Sequence, residues 1–385
     1  MNKKLKILIA PNSMKGSLNA FDFSDAIEKA FQTCSDNFEI RKIPVADGGD
    51  FTGQILKNKL NAQIVKQEVI GPVGKKIKSQ YAISGNIAII EMADASGMKQ
   101  CNTSDLNPLH ATSYGTGQLL KDALQKGCTQ IFMAIGGSAT VDGGLGMMEA
   151  LGFRFFNKNN ETIKGNGASL TNLYRIEPAA IPQNLSIKII SDVDNPLLGK
   201  DGAASVFGPQ KGATSEMVKI LENGLENWAK LLQQETGKDF RNIKGAGAAG
   251  GMALPLMAFA NAEIVPGADF VLQQLNFDTH IKWADIVLTG EGKIDSQTLN
   301  NKAPFAVAKA AKANNKPIFA IGGKTEIKAS RVFDGIFSLT NGPVSLEEAM
   351  SNSAELVYST AFELAKTIEK LTNIQTPQQC KNKKN

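Results

Sequence analysis

Five loops in this chain carry residue types suited to chemistry on small anions. PNSMKGS at 11–17 offers Asn12, Ser13, Lys15 and Ser17 beside backbone amides, and a lysine there neutralises phosphate or a carboxylate. ADGGD at 46–50 sets Asp47 and Asp50 around paired glycines, and carboxylates at a strand end suit magnesium or a general base. In SDVDNPLLG at 191–199, Asp192 and Asp194 are two apart, so on an extended strand they share a face. VFGPQKGAT at 206–214 places Lys211 between glycines, and TGEGKIDSQTL at 289–299 supplies Glu291, Lys293 and Asp295. Any one of these has a bland reading, a surface lysine or a capped glycine turn. Five together favour a shared polar cleft.

A sixth stretch, IFMAIGGSATVDGGLGMMEALG at 131–152, runs from an apolar strand through a glycine-rich loop into an amphipathic helix. Its loop holds Ser138, Thr140 and Asp142. Amides around Gly136–Ser138 and Gly143–Gly144 suit anionic oxygens, because helix starts favour negative charge. Ser138 and Thr140 can donate hydrogen bonds, and Asp142 can cap the helix after the loop or meet a metal. Carboxylates, loop lysines and amide cradles are nearly all that phosphoryl transfer requires, since it works by positioning and charge stabilisation.

Other chemistries fit less well. GAGAAG at 245–250 has the GxGxxG spacing, but TGKDFRNIK before it is no buried strand and Pro255 interrupts the segment after it. A tight small-residue packing point, or a backbone lining for substrate, suits it better than a dinucleotide site. GGKT at 322–325 ends like a phosphate loop, yet Ile318 stands where the first glycine of that motif belongs. The two histidines, His110 and His280, lie near no GxSxG nucleophile motif, and Cys34, Cys101, Cys128 and Cys380 form no CxxC pair. Such scattered cysteines, without a secretory signal, suit a reducing cytosol. The net charge of +5 comes partly from KNKKN at 381–385 and from Lys75, Lys76 and Lys78. Neither group is interleaved with aromatics, which argues against nucleic acid as a partner. No apolar run approaches the length of a membrane span, and Leu5–Ala10 reads as a first strand, not a signal peptide.

The elements that would position these loops alternate strand and helix. Strands are expected at 6–10, 38–45, 131–135, 284–289, 317–321 and 335–339, most with a helical pattern after them. Asn19 caps a helix whose Phe23, Ala26, Ile27, Ala30 and Phe31 share a face, Pro304 suits a first turn, and Ser345 with Glu348 precedes a long helix to about residue 371. Residues 67–100 read as hairpin-like strands, with turns at Gly71-Pro72 and Gly85-Asn86. At 385 residues, two domains are expected. The class is α/β, with a Rossmann-like domain on a mostly parallel sheet built from both chain ends (1–66 and 270–372) and a second α/β domain (67–269) inserted between. The stretch 112–152 fits either domain, and 373–385 is read as a basic, flexible tail.

These motifs, joined by IEMADASGM, NPLHATSYGTGQL and GAGAAGGM, resemble in identity and order the bacterial type I glycerate kinase family over about residues 10–300, and the later helical region looks similar. The resemblance implies ATP-dependent phosphorylation of D-glycerate, usually to 2-phosphoglycerate, with a 3-phosphate product or another small hydroxy acid as the alternative. It also implies an active-site cleft between the two domains. Asp47 or Asp192 would orient or deprotonate the attacking hydroxyl. Lys15 and Lys211 would clamp the substrate carboxylate or the moving phosphoryl group. Ser13, Gly137, Ser138, Thr140 and Asp194 would bind substrate or phosphate, and Gly290, Glu291, Gly292 and Asp295 the nucleotide, with Glu291 and Asp295 also for magnesium. Partners would be D-glycerate and ATP, in the cytoplasm, without nucleic acid or membrane and with a homodimer left open. One departure stands out: Asp50, Phe51 and Gln54 replace the more usual ADGGEGT pattern, and the shorter Asp50 weakens the case for a direct role. Two rivals remain, a dehydrogenase resting on GAGAAG and a non-enzymatic hydroxy-acid binder.

Overall fold

The computed structural model describes residues 4–375, apart from 50, 296, 297, 299–301 and 341. Asp50, Cys380 and the lysines of KNKKN lie outside the described residues. In chain order the strands are β1 (Leu5–Ile9), β2 (Phe38–Lys42), β3 (Gln63–Ile70), β4 (Lys76–Ser84), β5 (Ile87–Glu91), β6 (Gln130–Ala134), β7 (Arg154–Phe156), β8 (Arg175–Glu177), β9 (Ser186–Ile190), β10 (Glu263–Val265), β11 (Ile286–Ile294), β12 (Ile318–Thr325) and β13 (Gly335–Ser338). The chain divides into two compact α/β units: a terminal unit of Met1–Ala46 with Leu272–Asn385, and a central unit of Asp47–Val271.

The terminal unit holds a parallel sheet in the order β13-β12-β11-β1-β2. Numbered within the unit alone, its strands run 2-1-3-4-5, a doubly wound order that reverses between β1 and β11. Ile7, Leu8 and Ile9 are buried in succession, as expected for a strand covered on both faces. Asn19 caps the helix Ala20–Cys34, its side chain accepting from the amides of Phe21 and Asp22, both at 2.9 Å. Phe23, Ile27, Ala30 and Phe31 then form one apolar face, which packs with Val357, Ala361, Leu364 and Ala365 of the helix Ser353–Gln375. Ser345 caps a helix as its spacing predicts, but that helix is only Leu346–Ser351. It buries no side chain, and Asn352 leaves helical geometry before the docked helix begins, so the single long helix expected here is two. That second helix continues to Gln375, into the segment read from sequence as tail.

The central unit holds a mixed sheet in the order β10-β9-β6-β5-β4-β3. β5, β6, β9 and β10 are parallel, while β3, β4 and β5 form an antiparallel meander. β7 and β8 make a separate antiparallel pair. The first boundary falls at 46, not 66. Leu56 of the helix Thr52–Lys59 is buried with Ala82, Ile89, Phe132, Ile190 and Phe270, and β3 pairs with β4, so residues 47–66 belong to this core. The other boundary falls at 271 rather than 269, and 112–152 is central. GAGAAG is not preceded by a strand; it is buried, and the Gly250 carbonyl accepts from the Gly143 amide at 3.0 Å. That is the packing role, not a dinucleotide turn.

Trp228, in the helix Ser215–Thr236, is fully buried edge-on to Phe155 and donates through Nε1 to the Gly143 carbonyl at 2.9 Å. Trp228→Phe keeps most of the packing but leaves that carbonyl without its indole donor. Urea unfolding should show a loss of about 1–3 kcal/mol, the range for stranding one buried polar group.

Candidate active site

In the central unit, loops leaving the carboxyl ends of β6 and β9 meet the segment Asp47–Gly49. Gly48 has φ of +89°, and a Cβ there would lie 3.0 Å from the Ile190 carbonyl and the Ser191 backbone. A Cβ at Gly267 would lie only 2.3 Å from the Asp47 carbonyl oxygen. Gly136 lies against the backbone of Gly48 and Gly49. Glycine at these contacts lets segments distant in sequence touch through their backbones, and it sets Asp47 in the electrostatic reach of Asp192.

Asp192 accepts hydrogen bonds from the amides of Gly267, at 2.6 Å, and Ala268, at 3.1 Å, where the helix Gly267–Gln274 begins. Burial, then the Asp47 charge and more weakly Asp269, push its carboxyl up to about 8 against those two amides. Asp192 therefore holds its proton at neutral pH. Asp47 accepts from the Gly49 amide at 3.3 Å. Asp194 stands apart: β9 has ended at Ile190, so the alternation rule does not apply, and Asp194 is exposed 3.5 Å from the Lys244 ammonium.

The loop from Gly136 to Gly146 is tied from within. Asp142 is fully buried and accepts from Ser113 N (2.8 Å), Ser113 Oγ (2.7 Å), Gly144 N (3.1 Å) and Gly146 N (3.3 Å). Burial raises its pKa and these bonds oppose the rise. Asp142 thus takes the Gly144 and Gly146 amides where the helix Leu145–Ala150 opens, and Ser113 Oγ takes the Met147 amide at 2.9 Å. Lys211 is 1% exposed, and its ammonium donates to Ser138 Oγ and to the Thr140 carbonyl, each at 2.7 Å. Burial lowers its pKa to about 7, with Asp142 opposing. The lysine read from sequence as a ligand clamp thus gives two of its three ammonium donors to the loop itself. The Thr140 hydroxyl is buried with no hydrogen-bond partner among the described residues, and Gly137 is exposed.

In the terminal unit, the loop after β1 lies beside the carboxyl end of β11, which runs on through Gly290 and Gly292, at the reversal in strand order, where doubly wound sheets bind ligands. The Asn12 amide donates to the Gly290 carbonyl at 2.8 Å, and Gly292 lies against Met14. Ser13 is half-buried and Lys15 exposed on this loop. Glu291 and Asp295 are both buried and are linked by Thr298. The Thr298 hydroxyl donates to Glu291 Oε1 at 2.6 Å, and the Thr298 amide donates to Asp295 Oδ1 at 3.3 Å. The Lys293 ammonium lies 2.5 Å from Asp295, and that of Lys302 lies 3.9 Å from Glu291. Among the described residues no three His, Cys, Asp or Glu side chains cluster as a metal site. Two carboxylates do fit magnesium of the kind held mainly by substrate phosphates.

The site residues read from sequence thus fall into two groups. Asp47, Asp192, Gly137, Ser138, Thr140 and Lys211 gather in the central unit; Ser13, Lys15, Gly290, Glu291, Gly292 and Asp295 gather in the terminal unit. Sequence reasoning missed Ser113, the Gly267 and Ala268 amides and Thr298. Pro266-Gly267 ahead of an apolar run with Asp269 was the available signal for the second of these.

A family model described as the glycerate kinase family matches residues 7–369. The chain is 40% identical to the glycerate kinase of Bacillus subtilis (strain 168), over 95% of this chain and 98% of that protein. It is 44% identical to the glycerate kinase of Halalkalibacterium halodurans, over 93% and 97%. Against the glycerate 2-kinase of Escherichia coli (strain K12) the identity is 38%, over 94% and 98%. A crystal structure from Salmonella typhimurium LT2, provisionally named glycerate kinase 2, is similar with a TM-score of 0.84 at 39% identity, covering 96% of this chain and all of that one.

The raised Asp192 pKa makes a stability prediction. The folded state holds this proton to about pH 8, whereas the ordinary value is 3.8. Its stabilising contribution is therefore full below the lower value and is lost as pH rises through the upper one. Asp192→Asn does not titrate, so its melting temperature relative to wild type should be higher at pH 9 than at pH 5. A pH-independent difference in thermal melts would remove the assignment.

Proposed function

The chain belongs to the glycerate kinase family and is a kinase; from that premise we propose that it moves the γ-phosphoryl group of ATP onto D-glycerate, giving 2-phosphoglycerate. The observation that carries this reading is the Asp47–Asp192 pair beside the Gly136–Thr140 loop. Asp47 takes the proton of the attacking hydroxyl. Asp192, which keeps its own proton at neutral pH, leaves Asp47 as the basic member of the pair. Amides and hydroxyls of the 136–140 loop hold an anionic oxygen of substrate or phosphoryl group, a fixed-dipole stabilisation that needs no reorganisation during transfer. Similarity to a protein named glycerate 2-kinase supports the choice of the 2-hydroxyl.

In the same reading Ser13, Lys15 and the Gly290–Asp295 segment serve the nucleotide. Glu291 and Asp295 would hold magnesium, which when bound neutralises charge on the phosphates. The exposed Lys15 neutralises charge on a phosphate oxygen. A cytoplasmic setting belongs to this reading; among the described residues no helix is long and apolar enough to cross a membrane.

A coupled ADP assay with D-glycerate, ATP and magnesium tests the proposal, and phosphorus NMR of the product identifies the hydroxyl. ADP release should depend on D-glycerate and yield the 2-phosphate. Asp47→Asn should lower kcat by about 10²–10⁴, the range for losing a general base. Release of ADP that ignores D-glycerate, or near-wild-type turnover in Asp47→Asn, would contradict it.

A further inference from the structure

We propose that Lys211 is a positioning residue: it fixes Ser138 as an outward hydrogen-bond donor to an anionic ligand oxygen and does not touch the ligand itself. An ammonium can only donate. Because Ser138 Oγ accepts from Lys211, the serine proton must go to another acceptor. Among the described residues no protein acceptor takes it. The second ammonium donor holds the Thr140 carbonyl, so one buried cation pins both ends of the Ser138–Thr140 arc. The far side of Ser138 is fixed as well, through its bridge to Gly97 and the bond from the Met98 amide to the Gly137 carbonyl at 2.9 Å.

A hydroxyl polarised by an ammonium at 2.7 Å, in a loop whose tip Gly137 is exposed, suits a carboxylate or phosphate oxygen. The charged group acting on Lys211 is Asp142, and its oxygens are engaged by Ser113, Gly144 and Gly146. Among the described residues the cation is thus not neutralised by a direct ion pair. Burial brings it to about 7, so its charge is lost over the range in which the enzyme is assayed. A bound anion favours the protonated form, which makes this a device acting on affinity. The inference rests on reading the 136–140 loop as the anion cradle.

The test is steady-state kinetics on the full chain from pH 6 to 9, with wild type, Ser138→Ala, Lys211→Met and the double variant, each checked by thermal melting. Ser138→Ala should raise KM for one anionic substrate about tenfold at pH 6, as for loss of one charge-assisted bond. A shift in KM for D-glycerate identifies a carboxylate, and one in KM for ATP identifies a phosphate; either supports the proposal. The ratio of that KM to the wild-type KM should fall toward one by pH 9, when Lys211 is neutral; taking the ratio removes the separate titration of Asp192. The double variant should be no worse than the worse single one. A constant ratio, multiplicative effects in the double variant or an unchanged KM would overturn the proposal. If Lys211→Met does not fold, the Ser138→Ala ratio decides alone. A wild type that turns over D-glycerate while the variants act independently refutes only this role for Lys211. A wild type without D-glycerate turnover refutes the kinase reading and this proposal with it.

Discussion

Backbone contact between glycine-bearing loops is the constraint on which the central unit's site depends. Asp47–Gly49 meets the end of β9, Gly267 and Gly136 through its backbone. No side chain fits at Gly48 or Gly267 without moving a backbone. The result is a pair of carboxyl groups in electrostatic contact, an arrangement unfavourable while both are charged. Burial first, and the neighbouring Asp47 charge second, keep one member, Asp192, protonated, while two helix-start amides hold it in place. A carboxylic acid that keeps its proton at neutral pH follows from packing, without any histidine.

The second constraint is how the neighbouring loop keeps its shape. Two buried ionisable groups, Asp142 and Lys211, lie beneath it and are both satisfied by the loop or its neighbours. Asp142 collects four donors, and Lys211 supplies two. A buried charge with this many fixed partners is strongly destabilising to unpair, so each enforces one loop conformation. The terminal unit solves a related problem differently. There Thr298 bridges Glu291 and Asp295, and lysines lie near each carboxylate, at the strand-order reversal typical of ligand sites in doubly wound sheets.

Much of this is legible in the sequence because it is local. Asn19 announces its helix through spacing alone, β1, β11 and β12 begin as short apolar runs, and the order of the motifs is enough to point to the family. Failures came where the outcome depends on distant partners. Asp192 and Asp194 look equivalent in SDVD, but β9 stops at Ile190 and only Asp192 meets the Gly267 amide. Lys211 reads as a loop cation, and nothing local says that its ammonium ends under Ser138. Residues 47–66 come directly after β2 in sequence, yet Leu56 is buried against β4, β5, β6 and β9 of the central unit. In each case a non-local contact decided the role, and periodicity carries no trace of it.

The central claim is that Asp47 and Asp192 act as one coupled pair with a proton retained at neutral pH. The direct measurement is a carbon-13 NMR titration of protein labelled at the aspartate carboxyl carbons, repeated on Asp192→Asn. One carboxyl signal should titrate near 8 and be absent from the variant. If the signal missing from Asp192→Asn titrates in the wild-type protein in the ordinary range of about 3–5, the pair does not retain a proton in this way and the acid–base assignment is wrong.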